Sequence, residues 1–212
     1  MRSSLFCVAL SCVSALPASS QSAPSATAPV ALYTDFRQPV PPGVANALRA
    51  EVDAIMEPAG LQFEWRSLAD FHGETASVAL VVVHFEGRCI TEGLAMRANQ
   101  PGSLGWAEIR DGAIVPFIHV DCTKVRTFLQ IDLLGRRSQE RNPLYGRALG
   151  RVLAHELYHV LAVTSLHTAQ GVAKEEFSAA DLLAANFQLH MKETGTLRTS
   201  KPMQALRASR QP

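Results

Sequence analysis

His155-Glu156-Leu157-Tyr158-His159 reads H-E-x-x-H, and it is the stretch of this chain that states a chemistry. On an α-helix, residues four apart lie about 40° from each other and one turn along the axis, so both imidazoles can reach one metal ion. Glu156 falls roughly 100° round from His155, close enough to hydrogen-bond a metal-bound water without itself becoming a ligand. The spacing therefore predicts a zinc site built for hydrolysis, with Glu156 as general base.

The flanking sequence predicts that this segment is helical. Asn142-Pro143 reads as a capping side chain followed by proline at the first helical position. Leu149, Leu153, Leu157, Val160 and Leu161 then form one apolar stripe with the histidines on its flank. Gly146 and Gly150 each cost about 1 kcal/mol against alanine, which points to another backbone packed closely there. A catalytic zinc takes three protein ligands and leaves a position for water. His167 is the expected third ligand. On an unbroken helix it would lie ~12 Å from His159 along the axis, so the helix must end first, and Val163-Thr164-Ser165 favours that ending. Glu175 and Glu176 are the competing ligands, since a glutamate from a second helix completes the site in some zinc peptidases.

These residues resemble the zincin metallopeptidases, nearer the metzincin branch, whose pattern is H-E-x-x-H-x-x-G-x-x-H. His155, Glu156 and His159 match it. Ala162 stands at the glycine position and Ser165 at the third-histidine position, with His167 arriving two residues later, so the turn must differ. Residues 167 to 174, HTAQGVAK, are similar to the text of short secreted bacterial zincin-like proteins, and Met191 is the match for the methionine turn. The resemblance covers at most residues 43 to 193, and its specific part is the five-residue motif. It implies hydrolysis of peptide or protein substrates by a zinc-activated water.

Arg2, the apolar run from Leu5 to Leu16 and the small residues Ala18-Ser19-Ser20 read as a secretory signal peptide over residues 1 to 20, cut near Ser20. That predicts a secreted or periplasmic protein. Cys7 and Cys12 would leave with the signal, so Cys89 and Cys122 are expected to pair as an intramolecular disulfide in an oxidising compartment. The 212 residues, 47% of them apolar, suffice for one well-cored domain. A net charge of +1 without a basic cluster in the globular part points away from nucleic acid, and no apolar run beyond the first twenty residues is long enough to span a membrane.

The remaining pattern predicts an α/β (α+β) domain, a small mixed sheet packed against the H-E-x-x-H helix, with helices at the N- and C-terminal ends. Val44, Leu48, Val52, Ile55 and Met56 recur at helical spacing up to Pro58-Ala59-Gly60. Residues 61 to 65 alternate as a strand, and Val78 to Phe85 is a continuous apolar run suited to a central strand. Trp106 to Ile109, Arg110-Asp111-Gly112 and Ile114 to Val120 read as strand, turn and strand. Val125 to Leu134 is expected to be helical, and Ser178 with Asp181 to open a closing helix that stops before Gly195. The expected division is a leader rich in Pro, Ala and Ser at 21 to 42, a catalytic domain at 43 to 195 and a flexible basic tail at 196 to 212. The hairpin from Gly105 to Val120 is a candidate edge for an extended substrate, and Tyr145, Tyr158, His119 and Lys174 are candidate oxyanion donors. The rival reading is a secreted non-catalytic zinc-containing binding or structural protein of the same fold.

Overall fold

The computed structural model describes residues 29–73, 77–99 and 102–209, so the segment read as a signal peptide lies outside the described residues. Strand β1 (Val30–Phe36) runs into helix α1 (Pro42–Met56), then strands β2 (Phe63–Ser67) and β3 (Leu80–Glu86). A hairpin of β4 (Gly105–Arg110) and β5 (Ala113–Asp121) follows, turning on Asp111-Gly112, both of positive φ. The sheet order is β2-β1-β3-β5-β4, with every neighbouring pair parallel except β4, which lies antiparallel to β5 at the edge. The apolar run read as a central strand is the middle strand. Short helices α2 (Cys122–Phe128) and α3 (Gln130–Leu134) lead into the 25-residue helix α4 (Ser138–Ala162). The chain closes with α5 (Ala179–Leu183), α6 (Met191–Thr199) and α7 (Lys201–Ala208).

Helices α1 and α4 cover one face of the sheet. Alternate residues Leu32, Val81, Val83, Phe85, Ile118 and Val120 meet Leu48, Val52, Leu149, Leu153 and Leu157 in one buried cluster. The two helices approach at Gly146 and Gly150, where a Cβ would come within 2.4 Å of the Val44 carbonyl oxygen and 2.8 Å of that of Leu48. That close backbone approach is what the two glycines predict. Arg151, fully buried beside it, bonds the Glu51 carboxylate of α1 at 2.6 Å and the carbonyls of Asp181 and Ala184 at 2.8 Å each, so a buried charge is matched on every side. The opposite face of the sheet carries the stacked rings of Trp106, His119 and His84. Cys89 and Cys122 form the expected disulfide, tying the chain after β3 to the start of α2.

Several expectations need correction. Strand β1 lies inside the stretch read as leader, because Val30-Ala31-Leu32-Tyr33, buried on both faces, is too short a run to stand out from the Ala/Pro-rich text before it. Helix α4 starts at Ser138, not at Asn142. The Asn142 side chain accepts from the Thr91 hydroxyl instead of capping, and Pro143 sits inside the helix. The region from Val125 to Leu134 is split at Leu129 into two short helices. Ser178 and Asp181 do form a capping box, but α5 stops at Leu183 and a separate helix, α6, runs past Gly195. The segment read as a loose tail holds α7, anchored by buried Met203 and Leu206.

Candidate metal centre

Helix α4 carries His155 and His159 one turn apart at its C-terminal end, both nearly buried. His155 Nδ1 bonds the Val172 carbonyl at 2.8 Å, and His159 Nδ1 bonds the Thr164 carbonyl at 2.7 Å. A carbonyl only accepts, so each Nδ1 carries the hydrogen and each Nε2 presents a lone pair. Burial, foremost, holds the His155 pKa down at about 4, against the Val172 carbonyl, with His159 and His167 pushing the same way as burial. His159 is lowered for the same leading reason, opposed by the Thr164 carbonyl. Both rings are therefore neutral near pH 7. Their two Nε2 atoms face each other at 3.0 Å. Two lone pairs that close repel unless a cation lies between them, and a tetrahedral zinc with ~2.05 Å bonds would hold two nitrogens about 3.3 Å apart.

The turn after α4 brings in the third imidazole. Val163 ends the helix at φ 51°, ψ 52°, and Thr164 N bonds back to the His159 carbonyl at 3.1 Å. The left-handed residue is thus Val163, one position beyond Ala162, with no glycine available. His167 then folds back, its ring 4.8 Å from that of His159 and 5.4 Å from that of His155. One nitrogen from each of His155, His159 and His167 lies within 4.8 Å of the others. Glu175 and Glu176, the competing ligands, are instead exposed residues lining the adjoining cleft, outside the three-imidazole group.

The loop after His167 is braced from below by a residue without a sequence signal. Glu193 of α6, fully buried, accepts from Ala173 N at 2.6 Å, from His190 N at 2.7 Å and from the Thr168 hydroxyl at 3.2 Å. Gly171 packs on that carboxylate at φ 87°, where a Cβ would lie 2.6 Å from Oε2. Glu193 thereby ties down the segment that carries both His167 and the Val172 carbonyl.

Glu156 follows His155 on α4 and lines the same cleft, which has a volume of about 540 Å³. Burial raises its pKa to about 8, against a backbone hydrogen bond from Ala107 of the edge strand. The oxyanion candidates lie elsewhere. Tyr145 is buried and donates to the Cys122 carbonyl at 2.6 Å, and Lys174 pairs with Asp181 at 2.7 Å. His119 bonds Glu86 and Glu108 on the far face of the sheet. The Tyr158 hydroxyl bonds Thr196, and burial raises its pKa despite that bond. Met191, at the start of α6, is 92% exposed and so forms no floor beneath the histidines.

No family model and no curated protein matches the sequence. Among solved structures, the chain is similar to a zinc-dependent peptidase from Methanocorpusculum labreanum, at 12% identity and a TM-score of 0.50, over 79% of this chain and 99% of that one. It is also similar to an archaemetzincin from Methanopyrus kandleri, at 14% identity and a TM-score of 0.44, over 82% and 94%. The first likeness places this chain in a zinc-peptidase fold. Three converging imidazoles, two of them with their outer nitrogen fixed on a carbonyl, form a donor set that fits zinc as cofactor.

Proposed function

We propose that this protein is a secreted zinc-dependent peptidase that cleaves peptide bonds by hydrolysis, with His155, His159 and His167 holding the metal and Glu156 as general base. The observation that carries the reading is the pair of facing Nε2 lone pairs at 3.0 Å beside a buried carboxyl group. When bound, zinc supplies the Lewis acidity that this hydrolysis needs. His155 and His159 orient their donors through the Val172 and Thr164 carbonyls. A nearby dication would pull the Glu156 pKa down from about 8 toward neutrality. Its carboxylate would then take the proton of the attacking water and deliver it to the leaving amine. Strand β4 is the edge strand of the sheet, a candidate for backbone pairing with an extended substrate, and its Ala107 amide holds Glu156. Export is supported by the leader pattern at residues 1 to 20 and by the Cys89–Cys122 disulfide.

The test is metal content followed by cleavage of a denatured-protein or peptide library, with and without chelator. One equivalent of zinc and chelator-sensitive cleavage are expected. Glu156→Gln should keep the zinc and lose turnover. Zinc bound without any chelator-sensitive cleavage would favour the non-catalytic rival, and full activity in Glu156→Gln would remove the assigned base.

A further inference from the structure

The cleft beside His155 and Glu156 is lined in part by α2, through Lys124 and Phe128, together with Leu104, Val152 and Phe177. The Lys124 side chain is only 23% exposed. Its nearest acid is Asp121 Oδ2 at 3.9 Å, while Asp121 Oδ1 accepts from the backbone amide of Lys124 at 2.9 Å. The ammonium makes no side-chain hydrogen bond among the described residues. Among the described residues its three donors, largely out of water, face only the Asp121 carboxylate at 3.9 Å, an arrangement that favours an incoming anion. Gly102 packs against this ammonium, where a Cβ would sit 3.3 Å from Nζ, and the cleft that Lys124 lines offers about 540 Å³ for an incoming anion.

We propose that this cleft recognises a substrate carboxylate, carried by an Asp or Glu side chain flanking the scissile bond or by a free C-terminus, and that Lys124 binds it. The inference rests on the peptidase reading and names its substrate class. The apolar walls accept the aliphatic stem of such a residue, and the ammonium meets its charged end. The acidic groups nearby do not reverse this preference. Glu175 and Glu176 are exposed, so water and salt screen them. Asp121 offsets Lys124 only in part at 3.9 Å, and a dication held by the three imidazoles would more than offset Glu156. A carboxylate entering the zinc-loaded cleft would thus meet a net positive charge.

The zinc-loaded Glu156→Gln protein separates recognition from turnover. It is titrated calorimetrically with matched peptides bearing Glu, Gln or Lys at each position around the bond, with the C-terminus free or amidated. A carboxylate peptide should bind roughly tenfold tighter than its Gln or amide counterpart. A Glu preference among amidated peptides identifies the side chain as the source, and tighter binding of free than of amidated peptides, without a Glu preference, identifies the C-terminus. Adding Lys124→Met should bring the ratio to about one, and adding Lys124→Glu should turn it in favour of Lys peptides, with zinc stoichiometry unchanged in both. Equal binding of Glu and Gln peptides together with equal binding of free and amidated C-termini, a Lys preference in the Lys124 protein, or a ratio that Lys124→Met leaves intact would overturn the assignment. Loss of the peptidase reading would show separately, as absence of chelator-sensitive cleavage by the wild type.

Discussion

Replacing Glu193 should weaken zinc binding although the residue touches no ligand of the metal. Its carboxylate accepts two backbone amides and one hydroxyl in a site without solvent access. Hydrogen bonds to a charged acceptor contribute about 1.5–3 kcal/mol each, and an orphaned buried donor costs about 1–3 kcal/mol. Glu193→Ala should thus lower stability by about 4 kcal/mol, a large share of a domain's usual ~5–15 kcal/mol. Glu193→Gln faces one amide donor with its own NH₂ and should cost about 2 kcal/mol. The freed segment carries Val172, whose carbonyl sets the His155 tautomer, and it begins at His167. Zinc affinity should therefore fall about 10- to 100-fold, the usual effect of removing a group that orients a metal ligand. The assay is competition with a chromophoric chelator at a temperature where each variant is folded, next to urea melts of the metal-free protein. Leu206→Ala on α7 is the control, because that buried leucine lies outside the loop and its loss should cost about 2–5 kcal/mol. If both variants lost zinc affinity equally, the bracing role of Glu193 would be refuted.

Other outcomes follow from single residues. The Glu156 carboxyl has a folded pKa of about 8 against 4.5 unfolded, so its contribution is fully present below pH 4.5 and is lost as pH rises to about 8. Metal-free Glu156→Gln should escape that loss and exceed the metal-free wild type by on the order of 4 kcal/mol at pH 8, and identical urea midpoints there would contradict the burial of this group. Val163 holds a β-branched side chain at φ 51° while 55% exposed, so Val163→Asn should raise stability by about 1 kcal/mol, read as a higher Tm. A lower Tm would mean that the valine side chain contributes packing that outweighs the strain. Replacing Cys89 and Cys122 together with serine should cost about 3–4 kcal/mol from the 33-residue separation, and a loss below 1 kcal/mol would show that this cross-link constrains the unfolded chain little.

The parts of the fold that were legible are those where one period runs long enough to be seen. Helix α1 and the body of α4 carry apolar residues at helical spacing over several turns, and β3 is a continuous apolar run between breakers. Strand β1 was not legible because burial on both faces removes alternation, leaving only four apolar residues beside similar text. The start of α4 was misplaced because Asn142-Pro143 imitates a cap, whereas tertiary contact with Thr91 claims the asparagine side chain. Helix α7 has a strong apolar stripe, but it is eight residues long and sits in a basic context that suggests a solvated tail.

At the site, the distinction is between groups that bind a cation and groups that hold the binders still. His155, His159 and His167 announce themselves by residue type, and the need to end a helix between the second and third made a turn near Val163 a physical requirement. What no spacing rule contains is the means of turning, since a non-glycine residue at φ 51° persists only where its surroundings over-determine it. Here the Thr164 amide and carbonyl both return to His159, and Glu193 closes the loop from the far side. The two-residue delay of the third histidine relative to the metzincin pattern is thereby accommodated. The turn itself is held by Thr164 and His159, and the loop that follows His167 is held by a buried carboxylate from α6 at Thr168 and Ala173. The turn at Val163 and the brace at Glu193 hold different parts of the segment that presents His167, so replacing Val163 by asparagine should not restore the zinc affinity lost in a Glu193→Gln background.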